Sequence, residues 1–166
     1  MVILRPTRKL QGALVPSRIA GSSDTALGDW YVNRIVVDKR PLLLLVSSRS
    51  LLSIVLPATD VRTLPKRLAG IVTLRLARLG ISQSLTGKER AAMSPVEIGA
   101  TTDRSVLGIM VDFARMAPYY LEPGNWDDSS LALVEDRLAD NPCFASTPHT
   151  VFPRKAAPHL LAAKWA

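Results

Sequence analysis

The chain has 166 residues, which is enough to bury one substantial core and short for two, so a single domain is expected. Hydrophobic residues make up 48% and charged residues 21%, a composition that excludes a largely disordered chain. The formal net charge of +7 is uneven: residues 34–90 carry a net +8, whereas residues 91–166 carry −3. This basic middle part suggests an anionic partner, either nucleic acid or an acidic protein surface.

The first half of the chain predicts β-structure. Gly28 and Asp29 precede an aromatic, β-branched run, which is turn chemistry followed by strand chemistry. Residues 42–46 are apolar at every position, so that strand is expected at the centre of the sheet, buried on both faces. The predicted strands cover residues 2–4, 30–37, 42–46, 51–56 and 96–101.

Three helices are predicted over residues 63–79, 104–117 and 129–139. The second is apolar on both sides, with Val111 opposite Phe113, which predicts a nearly enclosed helix. Gly108 inside that helix indicates close approach of another backbone. The segment around Gly87 and Lys88 is predicted to be a turn, because Glu89 stands where a phosphate-binding loop needs Ser or Thr.

Together these elements predict an α+β fold with a mixed or mainly antiparallel sheet, covered by the helices at 63–79 and 105–117. Residues 1–141 are expected to form the domain. Residues 142–166 are expected to be a Pro-rich extension with a short terminal helix over 160–165, which docks on the domain or on a partner.

A basic stripe lies on the first predicted helix. Arg67, Arg75 and Arg78 fall on one side of it, next to the apolar side, and form the candidate anion-binding site. The alternative is a solvated face whose arginine stems cover the edge of the core.

Several short segments resemble a bacterial family of small proteins of unknown function. They are Arg5, Thr7, Lys9 and Leu10; residues 27–33; residues 104–108 with Met110, Asp112 and Phe113; and Leu138–Ala139 before Pro142–Cys143. The resemblance implies a short N-terminal strand, a tryptophan-bearing hairpin and a helix opened by Arg-Ser-Val-Leu-Gly. It brings no catalytic or binding residue with it.

The polar members of those segments are further candidates for a site: Asp29, Asn33, Arg104 and Asp112. Asp29 is expected to cap the start of the hairpin. Arg104 is expected to pair with Asp112 or with Asp29 across the fold.

Nucleophilic catalysis would need Cys143 with His149 as its base, and a buried structural thiol is the alternative for this cysteine. His149 and His159 with one cysteine do not reproduce a closed zinc-ligand spacing, so no metal and no cofactor are predicted.

A lone cysteine also favours a reducing, cytoplasmic location. Residues 42–56 are interrupted by polar residues and too short for a transmembrane helix, so no membrane association is expected.

Three functions remain open. The first is a non-enzymatic binding or regulatory module, such as an accessory protein of a mobile element or a toxin-antitoxin-like locus, which uses the arginine stripe. The second is an enzyme for a phosphorylated or nucleic-acid substrate, with Arg34, Arg104 and Asp112 in one cleft. The third is a protein-interaction subunit, for example of a homo-oligomer, that docks through residues 160–165.

Overall fold

The computed structural model describes residues 1–18, 21–122, 124, 127–144 and 149–166. The strands in this part of the chain are β1 (Val2–Pro6), β2 (Trp30–Val37), β3 (Arg40–Ser47), β4 (Ser53–Pro57) and β5 (Val96–Ile98). The helices are α1 (Leu64–Arg78), α2 (Gln83–Ala92), α3 (Arg104–Tyr120), α4 (Asp128–Ala139) and α5 (Pro153–Trp165). The protein is therefore a single α+β domain, as the sequence predicts.

The five strands form one mixed sheet in the order β4-β3-β2-β1-β5. β2, β3 and β4 make an antiparallel meander, and β1 lies parallel to both of its neighbours, β2 and β5. Residues 42–46 are buried throughout, as predicted. The centre of the sheet is nevertheless β2, because β1 and β5 add in parallel on its other side through connections that local patterns do not specify.

Helices cover both faces of the sheet. Side chains alternate along β2, so Trp30 and Val32 face the core that contains α1, whereas Tyr31 and Ile35 face the core that contains α3. α1 and α5 contribute to the first core, and α3 and α4 contribute to the second. α1 and α4 therefore lie on opposite faces of the sheet, a placement that matters for the candidate site.

The segment predicted to be a turn around Gly87 is the helix α2, so that prediction was wrong. The Ser82 hydroxyl caps the helix by accepting the Leu85 N–H at 3.4 Å. Polar residues occupy most of α2, and Thr86 and Glu89 are the residues that it buries. Hydrophobic periodicity does not predict this helix, because its buried face carries polar side chains instead of a row of apolar ones.

Helix α3 departs from two expectations. It buries Val106, Ile109 and Phe113 against the sheet, but Val111 is 49% exposed, so the helix is not enclosed. Among the described residues, an added Cβ at Gly108 would meet nothing within 4 Å, so none of their backbones approaches closely there. The apolar outer side of α3 is thus surface, because the sheet and α4 cover the other side.

The C-terminal helix docks on this chain itself. α5 begins at Pro153, earlier than predicted, and buries Ala157 and Leu161 in the core on the α1 side. No helix in the described part of the chain is long and apolar enough to cross a bilayer.

Candidate functional site

Arg75 is not part of an open basic stripe. It is 1% exposed and reaches from α1 around the edge strand β4 toward α4 on the other face of the sheet. Its Nε donates to the Ser53 carbonyl at 3.2 Å and lies 3.3 Å from Glu135 Oε2. One terminal nitrogen donates to Asp136 Oδ1 at 3.0 Å. The exposure that an anion-binding stripe requires is therefore missing at Arg75, whose guanidinium is committed to internal partners.

Glu135 completes this arrangement from α4. Its carboxylate is 3% exposed, accepts the Val55 N–H at 2.9 Å and pairs with both Arg75 and Arg78. A carbonyl and an N–H on the outer side of β4, which would pair with a further strand in a wider sheet, are thus taken by side chains. This contact protects the sheet edge and ties α1 to α4 around it.

Burial disfavours the charged forms of both Arg75 and Glu135. Burial raises the pKa of the Glu135 carboxyl, while the Val55 N–H and the two guanidinium groups pull that pKa down. Burial also lowers the pKa of Arg75, and Glu135 and Asp136 counteract the shift. Each charge is tolerated because its partner is in place, and removing one partner would leave the other charge uncompensated.

A groove runs beside this ion pair, between α1, β4 and α4, with a volume of about 590 Å³. Its lining is mainly aliphatic, and Leu74 on the α1 side is 68% exposed. Arg67 and Arg78 lie along the same helix, eleven residues apart, which is about 16 Å of helix. The groove is lined by Ile54, Val55, Leu56, Pro57, Arg67, Ile71, Leu74, Arg75, Ala77, Arg78, Asp128, Leu131, Ala132 and Glu135.

The structure brings all three arginines to this groove, in different roles. Arg67 is exposed, and its Nε donates to Thr63 Oγ1 at 3.0 Å. Arg78 is partly exposed and shares Glu135 with the buried Arg75. The groove therefore has an apolar floor, two accessible guanidinium groups on α1, the exposed carboxylate of Asp128 on α4, and the buried Arg75 guanidinium beneath them.

The four polar candidates do not form one cluster. Asp29 accepts Arg5 Nε at 2.5 Å, and Asn33 accepts the Thr7 hydroxyl at 2.6 Å. Arg104 and Asp112 are exposed on α3, and in the described part of the chain neither forms an ion pair. The expected pairing of Arg104 with Asp112 or Asp29 was therefore wrong, because Arg5 already neutralises Asp29.

The Gly28–Asp29 turn packs closely against the turn after β3. Gly28 has a φ of +79°, and a Cβ there would lie 2.9 Å from Arg49 Cγ and closer still to Ser48 Oγ. The Asp29 N–H donates to the same Ser48 hydroxyl at 2.9 Å. Only glycine combines this backbone conformation with the close approach of the turn after β3.

Cys143 is buried, and burial raises its pKa to about 11, with Asp112 contributing to the rise. The thiol therefore stays protonated at neutral pH, which is the opposite of an activated nucleophile. His149 and His159 are exposed. Within the described ranges no hydrogen bond or ion pair links Arg34, Arg104 and Asp112, the three residues of the enzymatic alternative.

Sequence reasoning missed a second buried carboxylate, Glu89 on α2. It is 1% exposed and accepts the backbone N–H groups of Ala26 and Leu27 at 2.8 and 3.0 Å. It also accepts the Trp165 indole N–H at 2.6 Å. All three donors are more than sixty residues away in sequence, so the only local signal is the spacing of Glu89 with Thr86 and Met93 on one helix face.

A family model described as a domain of unknown function, DUF6933, matches residues 3–156. No curated protein and no solved structure matches the chain. The matched range contains every residue that lines the groove.

Proposed function

The chain belongs to the DUF6933 family, a domain of unknown function, and we propose that it is a non-enzymatic binding module. Its ligand is an apolar segment of a protein partner that carries acidic side chains, and its binding site is the groove between α1 and α4. The observation that carries this proposal is the combination of an uncovered aliphatic floor with arginines along one wall.

The floor accounts for the apolar part of the ligand. Leu74 exposes two thirds of its side chain inside a concave, mainly aliphatic lining, and such a surface gains free energy when an apolar group covers it. Leu74 thus extends the aliphatic lining of a concave groove, and contiguous exposed apolar surface of this kind marks interaction sites.

The arginines account for the acidic part. Arg67 is open to solvent, and Arg78 is 43% exposed although it touches Glu135. A ligand carboxylate can bind either guanidinium without disturbing Arg75, which retains Glu135 and Asp136. Charge thus orients the ligand along the groove, while the floor supplies most of the affinity.

Nucleic acid fits this groove less well. Burial of Arg75 interrupts the row of cations, and the two accessible guanidinium groups are separated by about three helical turns. A phosphate backbone needs closely spaced cations and gains little from an aliphatic floor. The partner class supported here is therefore acidic protein. The single cysteine, which is buried, supports a cytoplasmic site of action.

The test uses a fluorescent amphipathic peptide of alternating Leu and Glu as the probe, with a Leu–Lys peptide and a single-stranded DNA as comparisons. Fluorescence anisotropy is measured for the wild type, for Leu74→Glu and for the control Leu133→Glu. Leu133 is an exposed leucine on α4 that does not line the groove, so the control makes the same chemical change outside the site.

We expect the Leu–Glu peptide to bind, with Leu74→Glu weakening it by about ten-fold or more and Leu133→Glu leaving it unchanged. Equal loss in the two variants, or equal binding of the Leu–Lys peptide, would overturn the proposal. Binding of DNA that Leu74→Glu abolishes would assign the groove to nucleic acid instead.

A further inference from the structure

We infer that the protein has a second binding surface, at the end of the sheet where β1 and β5 terminate, and that this surface binds the sugar-phosphate backbone of nucleic acid. It is distinct from the groove and does not depend on the function proposed for it. The surface, called here the basic end, comprises Arg8, Lys9, Arg18, Arg34 and Arg104.

Hydrogen bonds of the backbone bring these residues to one place. Arg8 and Lys9 directly follow β1, where the Thr7 N–H donates to the Val32 carbonyl at 3.0 Å and so sets the turn beside β2 and Arg34. The Thr7 hydroxyl donates to Asn33, which strengthens the same contact.

Two more contacts gather the remaining members. The Ser17 N–H donates to the carbonyl of Ile98, the last residue of β5, at 2.9 Å, and this places Arg18 at the same end. The Tyr31 hydroxyl accepts the Asp103 N–H at 3.0 Å, which places Arg104, the first residue of α3, at the same end of the sheet but on the face opposite to Arg34.

All five side chains are exposed, and in the described part of the chain none of them forms an ion pair. The carboxylates nearest to them are engaged elsewhere: Asp29 pairs with Arg5, and Asp103 accepts the N–H groups that open α3. Glu97 on β5 is the remaining acidic residue near this end. Among the described residues, the five cations of the basic end therefore outnumber the carboxylates near them, Asp103 and Glu97.

The topology also favours a ligand here. After β1 the chain passes to the α1 side, where Leu10 and Leu14 are buried, whereas after β5 it passes to α3 on the opposite side. Adjacent parallel strands whose connections diverge to opposite faces leave a crevice at their carboxyl ends, the usual ligand position in such sheets.

The chemistry of the surface specifies a polyanion. Arginine and lysine predominate, and the exposed apolar residues nearest to them along the chain are two valines, Val36 beside Arg34 and Val15 before Arg18. Charge without an apolar floor suits a repeated phosphate, with which each cation replaces a condensed counterion. The groove between α1 and α4 has the opposite balance, so the two surfaces select different partners.

The test measures binding of a fluorescein-labelled DNA duplex, the matching single strand, an RNA of the same sequence and polyglutamate over a range of salt concentrations. The charge-reversal variant is Arg8→Glu with Lys9→Glu and Arg34→Glu. The control, Arg90→Glu with Arg115→Glu and Arg137→Glu, makes an equal change in net charge with exposed residues on three helices away from this end. Thermal unfolding is recorded for both.

Wild-type affinity for at least one nucleic acid is expected to fall steeply with salt. The charge-reversal variant should weaken binding at least ten-fold and reduce the log–log salt slope by about one for each phosphate that the variant no longer neutralises, whereas the control should keep most of the slope. No binding at low salt, or equal weakening in the control, would overturn the inference. Equally tight, equally affected binding of polyglutamate would reassign the basic end to acidic proteins.

Discussion

Two carboxylates, Glu135 on α4 and Glu89 on α2, are almost completely buried, and the protein accommodates them by different means. Glu135 is held by two guanidinium groups and one backbone N–H. Glu89 is held by two backbone N–H groups and an indole N–H, and in the described residues no cation lies within ion-pair distance of it. One charge is balanced by opposite charge and the other by oriented dipoles.

The difference separates an adaptable region from a fixed one. Arg78, one partner of Glu135, is partly exposed beside the groove, so its guanidinium can contact a ligand carboxylate while Glu135 keeps Arg75 and the Val55 N–H. The donors to Glu89 belong to the loop before Gly28 and to the end of α5, which have no such freedom. The groove of the proposed function therefore lies beside the Glu135 pair, whereas Glu89 holds the loop before Gly28 and the end of α5 together.

The largest effect is expected at Arg75. Arg75→Ala leaves Glu135 buried with only the partly exposed Arg78, so unfolding free energy should fall by about 3 to 5 kcal/mol in urea denaturation. The double variant Arg75→Met with Glu135→Leu removes both charges and should recover most of this loss. A single variant as stable as the wild type would show that charge pairing does not hold α1 to α4.

Glu89→Ala comes next and tests the dipole arrangement. It leaves two buried backbone N–H groups and one partly buried indole N–H without an acceptor, which should cost about 3 kcal/mol by the same measurement. Trp165→Phe removes one of the three donors and should cost about 1 kcal/mol. If Trp165→Phe proved as damaging as Glu89→Ala, docking of α5 and not the loop contact would be the main role of Glu89.

These carboxylates also mark the limit of what the sequence predicts. The strands, three of the helices and the burial of residues 42–46 follow from local periodicity, because each depends on neighbours along the chain. The burial of Arg75 and Glu135 does not, since their contact joins α1 to α4 across sixty residues. Helix α2 was not predicted for the same reason: it buries Thr86 and Glu89, and the partners of Glu89 are remote in sequence.

The candidate site was predictable in part. The helical wheel places Arg67, Arg75 and Arg78 together, and all three do line one groove. The wheel also places Arg75 nearest to the apolar side, beside Leu68, but it does not show that the partners of Arg75 come from α4 on the other face of the sheet. Val111 shows the converse: an apolar residue on a helix is buried only where another element packs over it.

Gly28→Ala sharpens the comparison on the Glu89 side. The left-handed backbone and the contact with the turn after β3 should cost about 1 to 3 kcal/mol of unfolding free energy. Gly108→Ala is the matched control, because its added methyl group meets nothing within 4 Å inside α3 and should stabilise the protein by up to about 1 kcal/mol. Equal effects of the two changes would mean that the loop yields, and that Glu89 does not hold it rigidly.

Asp103 repeats the Glu89 arrangement at the surface and gives the smallest effect. Its carboxylate accepts the Ser105 hydroxyl and the N–H groups of Ser105 and Val106, and these bonds hold its pKa below the ordinary value of 3.8. A carboxylate whose pKa is lower in the folded state stabilises the protein above the unfolded-state pKa and loses that contribution as pH falls through the folded-state pKa. Asp103→Asn keeps a capping oxygen but does not titrate, so the wild type should be more stable by up to about 1 kcal/mol near neutral pH. Urea midpoints of the two proteins should converge below about pH 4, and a gap that stays constant in acid would show that the charge on Asp103 adds nothing to its hydrogen bonds.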